Sequence, residues 1–214
     1  DMKQVNMFNI EPPDFALDPD TAPSRFQVLY VDPPWDYHDR TFLNGKCNST
    51  GAASDHYQTM SPQELMDMHV AKISAKNAIL YMWTTGPQLQ ISMDVLQAWG
   101  FRYKTIAFVW EKGRCNPGHY TMSSVELCLV ATRGSIPKPR GTRNERQFFS
   151  KTRNEHSAKP DHFRQCIERM HPKQTKLEMF ARTAGPRGGW WVWGNQAPNG
   201  VSLPQVWGNK ELPW

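Results

Sequence analysis

Asp32-Pro33-Pro34-Trp35 is the stretch of this chain whose residue types and order best suit chemistry. Each proline fixes its own φ and restricts the residue before it, so the Asp32 carboxylate and the Pro33 carbonyl are held as rigid neighbouring acceptors. Two such acceptors can take the two N–H bonds of an aromatic exocyclic amine. They then localise the nitrogen lone pair and aim it at an electrophile. Trp35 adds a flat face against which an extruded base can stack. The same four residues also suit a plain strand-terminating turn, with Asp32 bonded to its own backbone and Trp35 in the core.

The surrounding elements favour the chemical reading. Phe26–Val31 is a short β-rich apolar run, and the prolines end it, which puts Asp32 at the carboxyl end of a strand. Residues 36–60 are polar and rich in Gly, Asn and Ser, too long for an ordinary connection, and read as a lid. Ser61-Pro62-Gln63-Glu64 is a capping box opening a short helix to about His69. Further strands are expected over Asn77–Trp83, Lys104–Trp110, Val125–Thr132, Lys176–Arg182 and Trp190–Trp193, with helices over Pro87–Trp99 and Asp161–Met170. Strands alternating with helices imply an α/β, Rossmann-like, doubly wound and mostly parallel sheet, which binds ligands beyond its carboxyl edge. Residues 1–25 read as an irregular arm, and 26–214 as a single domain.

Composition bounds the partners. The 214 residues suffice for one substantial core, and no apolar run approaches a membrane span. With no charged-then-apolar leader in this sequence, the expectation is a soluble, cytoplasmic protein without membrane contact. The four cysteines show no metal-ligand spacing beyond the pair Cys115 and His119, so no metal is expected and the thiols read as reduced and mostly buried. The net charge of +5 is concentrated in residues 133–153, where seven cations face Glu145 alone. That segment reads as a mobile basic loop. Its Arg140, Arg143 and Arg146 suit phosphates, and Phe148 and Phe149 suit stacked bases. A phosphate-cradling nucleotide-binding fold is excluded by the lack of G-x-G-x-x-G after the first strand.

Several ordered segments together resemble the MT-A70 family of adenine methyltransferases. They are Val28–Trp35, His56–Met60, Ile79–Trp83, Trp99–Lys104, Glu126–Val130, Glu155–Asp161, Leu177–Arg182 and Trp193–Gln196. The resemblance implies a class I methyltransferase fold, S-adenosylmethionine as cofactor, and methyl transfer to the N6 amine of adenine. It places Asp32, Lys159, Arg182, Asn195, Gln196 and Asp14 at the cofactor, and Asp32, Pro33, Pro34 and Trp35 at the catalytic centre. Tyr57 and Glu126 fall where the family holds the target base. Ala184-Gly185 stands where the family's messenger-RNA enzyme has a His-Asn pair, and the lid is longer, so the chain is similar to the bacterial and phage branch. That branch implies DNA as the favoured acceptor. RNA adenine, or service as an inactive nucleic-acid-binding subunit, is the alternative. Either a homodimer or a methyltransferase-like partner subunit fits the family.

Overall fold

The computed structural model describes residues 23–36, 42–43, 46–47, 59–116, 120–152, 159–182, 189–195, 197, 200–203 and 206. The expected strand that precedes Asp32, β1 (Phe26–Val31), sits in the middle of a sheet and is buried on both faces. Two short paired strands follow in the lid region, β2 (Phe42–Leu43) and β3 (Lys46–Cys47). The helix α1 (Pro62–Asp67) opens on the full capping box, with Ser61 and Glu64 each bonding the other's backbone N–H. It stops two residues short of the expected end, and a single turn, α2 (Val70–Ile73), leads into β4 (Ser74–Thr84). Then come α3 (Leu89–Ala98), β5 (Arg102–Asn116), β6 (Ser123–Arg133), β7 (Phe148–Ser150), α4 (Asp161–Met170), β8 (Lys176–Met179) and β9 (Trp190–Trp193).

The sheet order is β7-β5-β6-β4-β1-β8-β9. β4 and β8 flank β1 in parallel, β9 runs parallel to β8, and β7 runs parallel to β5. β6 lies antiparallel to both β4 and β5, and is the one reversed strand of this seven-stranded sheet. The chain winds from β1 out to β4 on one side and comes back to β8 on the other. The order therefore reverses at β1, and the crevice at such a switch point opens beyond the carboxyl ends of β1 and β8. This is the doubly wound, mostly parallel α/β sheet expected from the sequence.

Two apolar layers cover the sheet. On one face, α1 and α3 pack Leu65, Val95, Leu96 and Trp99 over Leu29, Val31, Leu80 and Met82, and the Trp99 indole donates to the Leu65 carbonyl. On the other, Phe163, Cys166 and Ile167 of α4 sit over an aromatic floor of Tyr30, Tyr81, Trp83, Phe108, Trp110 and Trp190. Phe163 meets Trp83 edge-on at 4.8 Å, and the Trp83 indole donates to the Tyr30 hydroxyl at 2.7 Å.

Three expectations change. β5 and β6 are longer than their apolar cores, because they run on as a ribbon past Thr84, the end of β4. β8 ends at Met179 instead of Arg182, because Phe180 takes φ 61° and turns the chain off the sheet. The segment read as a mobile loop is tied down over its described part. Gly141 and Thr142 donate to the last carbonyls of α4, Gln147 bonds the Ile106 carbonyl, and β7 adds to the sheet. Gly141 has no room for a side chain, since a Cβ there would lie 1.9 Å from the Arg169 carbonyl oxygen.

His171 caps the far end of α4, fully buried, with its Nε2 2.9 Å from the Tyr81 hydroxyl. Burial first, then the Arg140 and Lys176 cations, push its pKa from 6.5 down to about 4. A histidine kept neutral in the native state binds protons more readily once the chain unfolds. Stability is therefore intact above the ordinary histidine range and is lost as pH falls through 6.5 toward 4, by roughly 3 kcal/mol in all. Urea midpoints at pH 7.5 and pH 4.5 should differ for the native chain, and His171→Gln should remove that part of the difference.

Candidate active site

The four motif residues are fastened on three sides. The Trp35 N–H donates to the Pro33 carbonyl, the Met60 N–H donates to the Pro34 carbonyl, and the Trp35 indole donates to the Trp83 carbonyl at 3.1 Å. Pro33 is buried and Asp32 half-buried, so the carboxylate faces the crevice from an immobile backbone. A carbonyl oxygen has two lone pairs, and the Pro33 oxygen keeps one beyond the bond it accepts from Trp35. Trp35 itself is corrected from an open stacking face to an anchor. Its ring is 4% exposed within the core cluster, and its one polar atom is spent on Trp83.

Around Asp32 the structure gathers a chain of alternating charges. The Lys159 ammonium donates to both Asp32 oxygens, at 2.8 and 2.7 Å, and lies 3.2 Å from Glu126 Oε2. Lys112 Nζ then meets Glu126 Oε1 at 3.2 Å. The side chains of Lys159, Lys112 and Glu126 are each 15% exposed or less. Burial alone would drive the proton off Lys159, but Asp32 and then Glu126 overcome it and hold the ammonium charged well beyond the ordinary lysine range. Burial alone would likewise neutralise Glu126, but Lys159 and Lys112 outweigh it and hold the carboxyl below its usual value. Lys159 also stands 5.5 Å over the Trp83 ring, a further attraction for the cation. The neighbouring Cys128 thiol is pushed far up by burial and stays a protonated, inert wall.

Beyond β8 and β9 the chain forms a second wall. Phe180, in the left-handed region, leans edge-on against Trp193 at 5.3 Å, and the Ala181 N–H donates to the Trp193 carbonyl. Gly194 passes so close that a Cβ would lie 2.3 Å from the Ala181 oxygen. Half-buried Arg182 and exposed Asn195 follow the ends of β8 and β9, the two strands next after β1 in the sheet. The donor set fits S-adenosylmethionine. An amino-acid end carries one ammonium and one carboxylate, the complements of Asp32 and Lys159. Arg182 and Asn195 present donors and an acceptor of the kind ribose hydroxyls and an adenine edge need.

Of the sequence-derived site, Asp32, Lys159 and Glu126 are in direct contact, with Pro33, Pro34 and Trp35 following Asp32, and Arg182 and Asn195 lie past the ends of β8 and β9 on the same side of the sheet. Asp14, Tyr57 and Gln196 lie outside the described residues. Arg140 does not join them. It sits by the carboxyl end of α4, beside His171, whereas Lys159 leads into the other end of that helix, about 15 Å away along ten residues. Arg143 and Arg146 are exposed. Among the described residues no group of His, Cys, Asp and Glu is placed to hold a metal ion. Cys128 and Cys166 are buried as expected, but Cys115 is exposed.

Lys112 is the site residue that sequence reasoning missed. Its signal was the alternation Phe108, Trp110, Lys112, in which two buried aromatics are followed in phase by a cation.

Comparison with known proteins gives the family. The MT-A70 family model matches residues 26–196. The chain is 40% identical over 198 residues to the Type II methyltransferase M.MunI of Mycoplasma sp, covering 87% of this chain and 84% of that one. It is 30% identical over 190 residues to a probable N(6)-adenosine-methyltransferase MT-A70-like protein of Oryza sativa, covering 84% of this chain and 24% of that one. Human N(6)-adenosine-methyltransferase catalytic subunit METTL3 is 26% identical over 192 residues, covering 84% and 29%. The chain thus spans under a third of these two longer relatives. With the family model covering most of its length and the charged edge intact, the chain belongs to the MT-A70 family and is an adenine methyltransferase that uses S-adenosylmethionine.

Proposed function

We propose that the acceptor is the N6 amine of adenine in DNA. The observation that carries this reading is the Asp32 carboxylate, fixed beside the Pro33 carbonyl at the switch point and paired with a charged Lys159. S-adenosylmethionine supplies an electrophilic methyl group on sulfonium. Asp32 would hold the cofactor's ammonium through one oxygen and Lys159 would hold its carboxylate, leaving the other Asp32 oxygen to accept from the adenine amine. Asp32 and the Pro33 carbonyl then accept the two N–H bonds and localise the lone pair. After transfer, the extra proton on nitrogen leaves along its hydrogen bond to Asp32. DNA is favoured over RNA because the 40% match to a Type II methyltransferase extends over most of both chains.

The inactive-subunit alternative is disfavoured by the intact Asp32–Lys159–Glu126 constellation. Among the described residues no helix is long and apolar enough to cross a membrane. We also propose a cytoplasmic location, where DNA and S-adenosylmethionine are both at hand. We further propose that it works as a homodimer or with a methyltransferase-like partner subunit, the second on the pattern of paired members in the family.

Labelled methyl transfer from S-adenosylmethionine to duplex DNA, single-stranded DNA and RNA, with nucleoside analysis by mass spectrometry, should give N6-methyladenine in a DNA pool. Label in RNA alone would overturn the acceptor assignment. Asp32→Ala should lower turnover by about 100- to 1000-fold, the order expected for losing one fixed transition-state group, and should also lower the melting temperature, because it leaves buried Lys159 without its first carboxylate. Lys159→Arg should chiefly weaken cofactor binding.

Arg143→Gln with Arg146→Gln should weaken DNA binding uniformly across sequences. It should also flatten the log–log salt slope by about 0.9 for each phosphate that is no longer neutralised. Arg140→Gln should leave that slope alone, since its guanidinium lies by the far end of α4. A filter-binding titration from about 50 to 200 mM salt, the range over which phosphate-driven affinity falls steeply, separates the two.

A further inference from the structure

On the face covered by α4, side chains alternate with period two along each strand, and the pattern changes from aromatic to charged at the same edge. On β1 the series is Val28, Tyr30, Asp32; on β5 it is Phe108, Trp110, Lys112; on the reversed β6 it is Val130, Cys128, Glu126. Trp110 is the cross-strand partner of Glu126, so Lys112 is its diagonal neighbour, within reach of a long side chain. The lysine is 8% exposed overall. Gly113 follows it at φ 69°, where a Cβ would strike Thr152 Oγ1 at 2.7 Å, and this turn fixes the direction of the strand just past Lys112. Glu111, the adjacent carboxylate, is engaged elsewhere, by Ser150 and the Gly113 N–H.

Without cofactor, Asp32, Lys159, Glu126 and Lys112 alternate in sign and sum to zero. With the cofactor held as proposed, Lys159 would face a third carboxylate and its hold on Glu126 would be diluted. Glu126 stays buried through that exchange, faced by Lys112 from β5, by Lys159 before α4, by Asp32 behind Lys159 and by the protonated Cys128 on its own strand. A buried carboxylate left short of a cation either takes up a proton or moves.

We propose that Lys112 is a positioning residue for methyl transfer: it holds the Glu126 carboxylate in place at the acceptor side of the site when the cofactor draws Lys159 away. This rests on the reading that the amino-acid end of the cofactor inserts between Asp32 and Lys159. Lys112 acts only through Glu126, and its effect appears mainly in the cofactor-bound state.

The test uses the full chain with glutamate labelled at the carboxyl carbon, followed by NMR across pH. S-adenosylhomocysteine serves as a stable probe with the same amino-acid end, and Glu126→Gln assigns the resonance. Saturated with the probe, Lys112→Met should titrate Glu126 at least one pH unit higher than the native chain. The rise should be smaller in the free protein, where Lys159 still serves Glu126, and Lys112→Arg should restore the native midpoint. Probe affinity should change less than twofold in Lys112→Met. In steady-state methylation, kcat should fall at least tenfold with KM for cofactor kept and the acid limb of the pH profile moved upward. In the Glu126→Gln background, Lys112→Met should add nothing.

An unshifted Glu126 midpoint, or an equal rise with and without probe, would overturn the proposal, as would additive losses in the double variant. Lack of saturable probe binding would overturn it together with the cofactor geometry. If the native chain bound the probe but methylated no adenine, the acceptor assignment would fall while the titration still decided the role of Lys112.

Discussion

Two ammonium groups and two carboxylates meet at the carboxyl edge of this sheet, and burial opposes the charge on the two at its centre, Lys159 and Glu126. An isolated buried lysine gives up its proton, and an isolated buried glutamate takes one up. Alternation resolves both tendencies, and its directions are opposite for the two kinds of group, since Lys159 is held protonated and Glu126 deprotonated. Everything else near the site can be understood as keeping these groups within about 3 Å of one another while water is kept away.

The scaffold meets that demand through rigidity. Asp32 is carried by a strand buried on both faces and followed by two prolines, with Trp35 bonded to the end of β4 and Met60 bonded to Pro34. Lys159 comes from the segment entering α4, whose Phe163 is wedged among Trp83, Phe108 and Phe149. Glu126 and Lys112 stand on paired strands. Four charges thus arrive from four elements, each set by its own packing. The aromatic floor beneath them has few polar atoms, and each is bonded: Trp83 to Tyr30, Trp110 to the Lys151 carbonyl, Tyr81 to His171 and Trp190 to Glu168.

Much of this was legible in the sequence. β1, α4 and β9 were read to the residue, because each is bounded by a strong local signal: a Pro-Pro stop, a proline before the first turn, and flanking Gly189 and Gly194. Asp32, Lys159 and Glu126 were found through motif and resemblance. The missed features depend on tertiary contact. Nothing local says that Phe180 adopts a positive φ, that the 133–153 segment is laced to α4 and β5, or that Arg140 lies by the far end of that helix. Trp35 was legible only as two alternatives, stacking face or core residue, and the depth of its burial selects the second. Lys112 was visible in the alternation of β5, but a lysine at a strand end is normally solvated, so only the cross-strand position of Glu126 gives it meaning.

A charge chain of this kind also explains why the site can be stable before its cofactor arrives and still bind it. A lone Asp32 awaiting an ammonium would carry an uncompensated charge into a half-buried pocket, and a lone Lys159 likewise. Paired, they satisfy each other, and with the cofactor held as proposed its amino-acid end would exchange one ion pair for two of the same kind. The net change in buried charge is small, because the incoming group is itself balanced. Such an exchange asks little of the backbone, which is fastened, and much of the two side chains. Specificity follows from the same arithmetic, since a ligand bearing only one of the two charges would leave either the carboxylate or the ammonium without its partner.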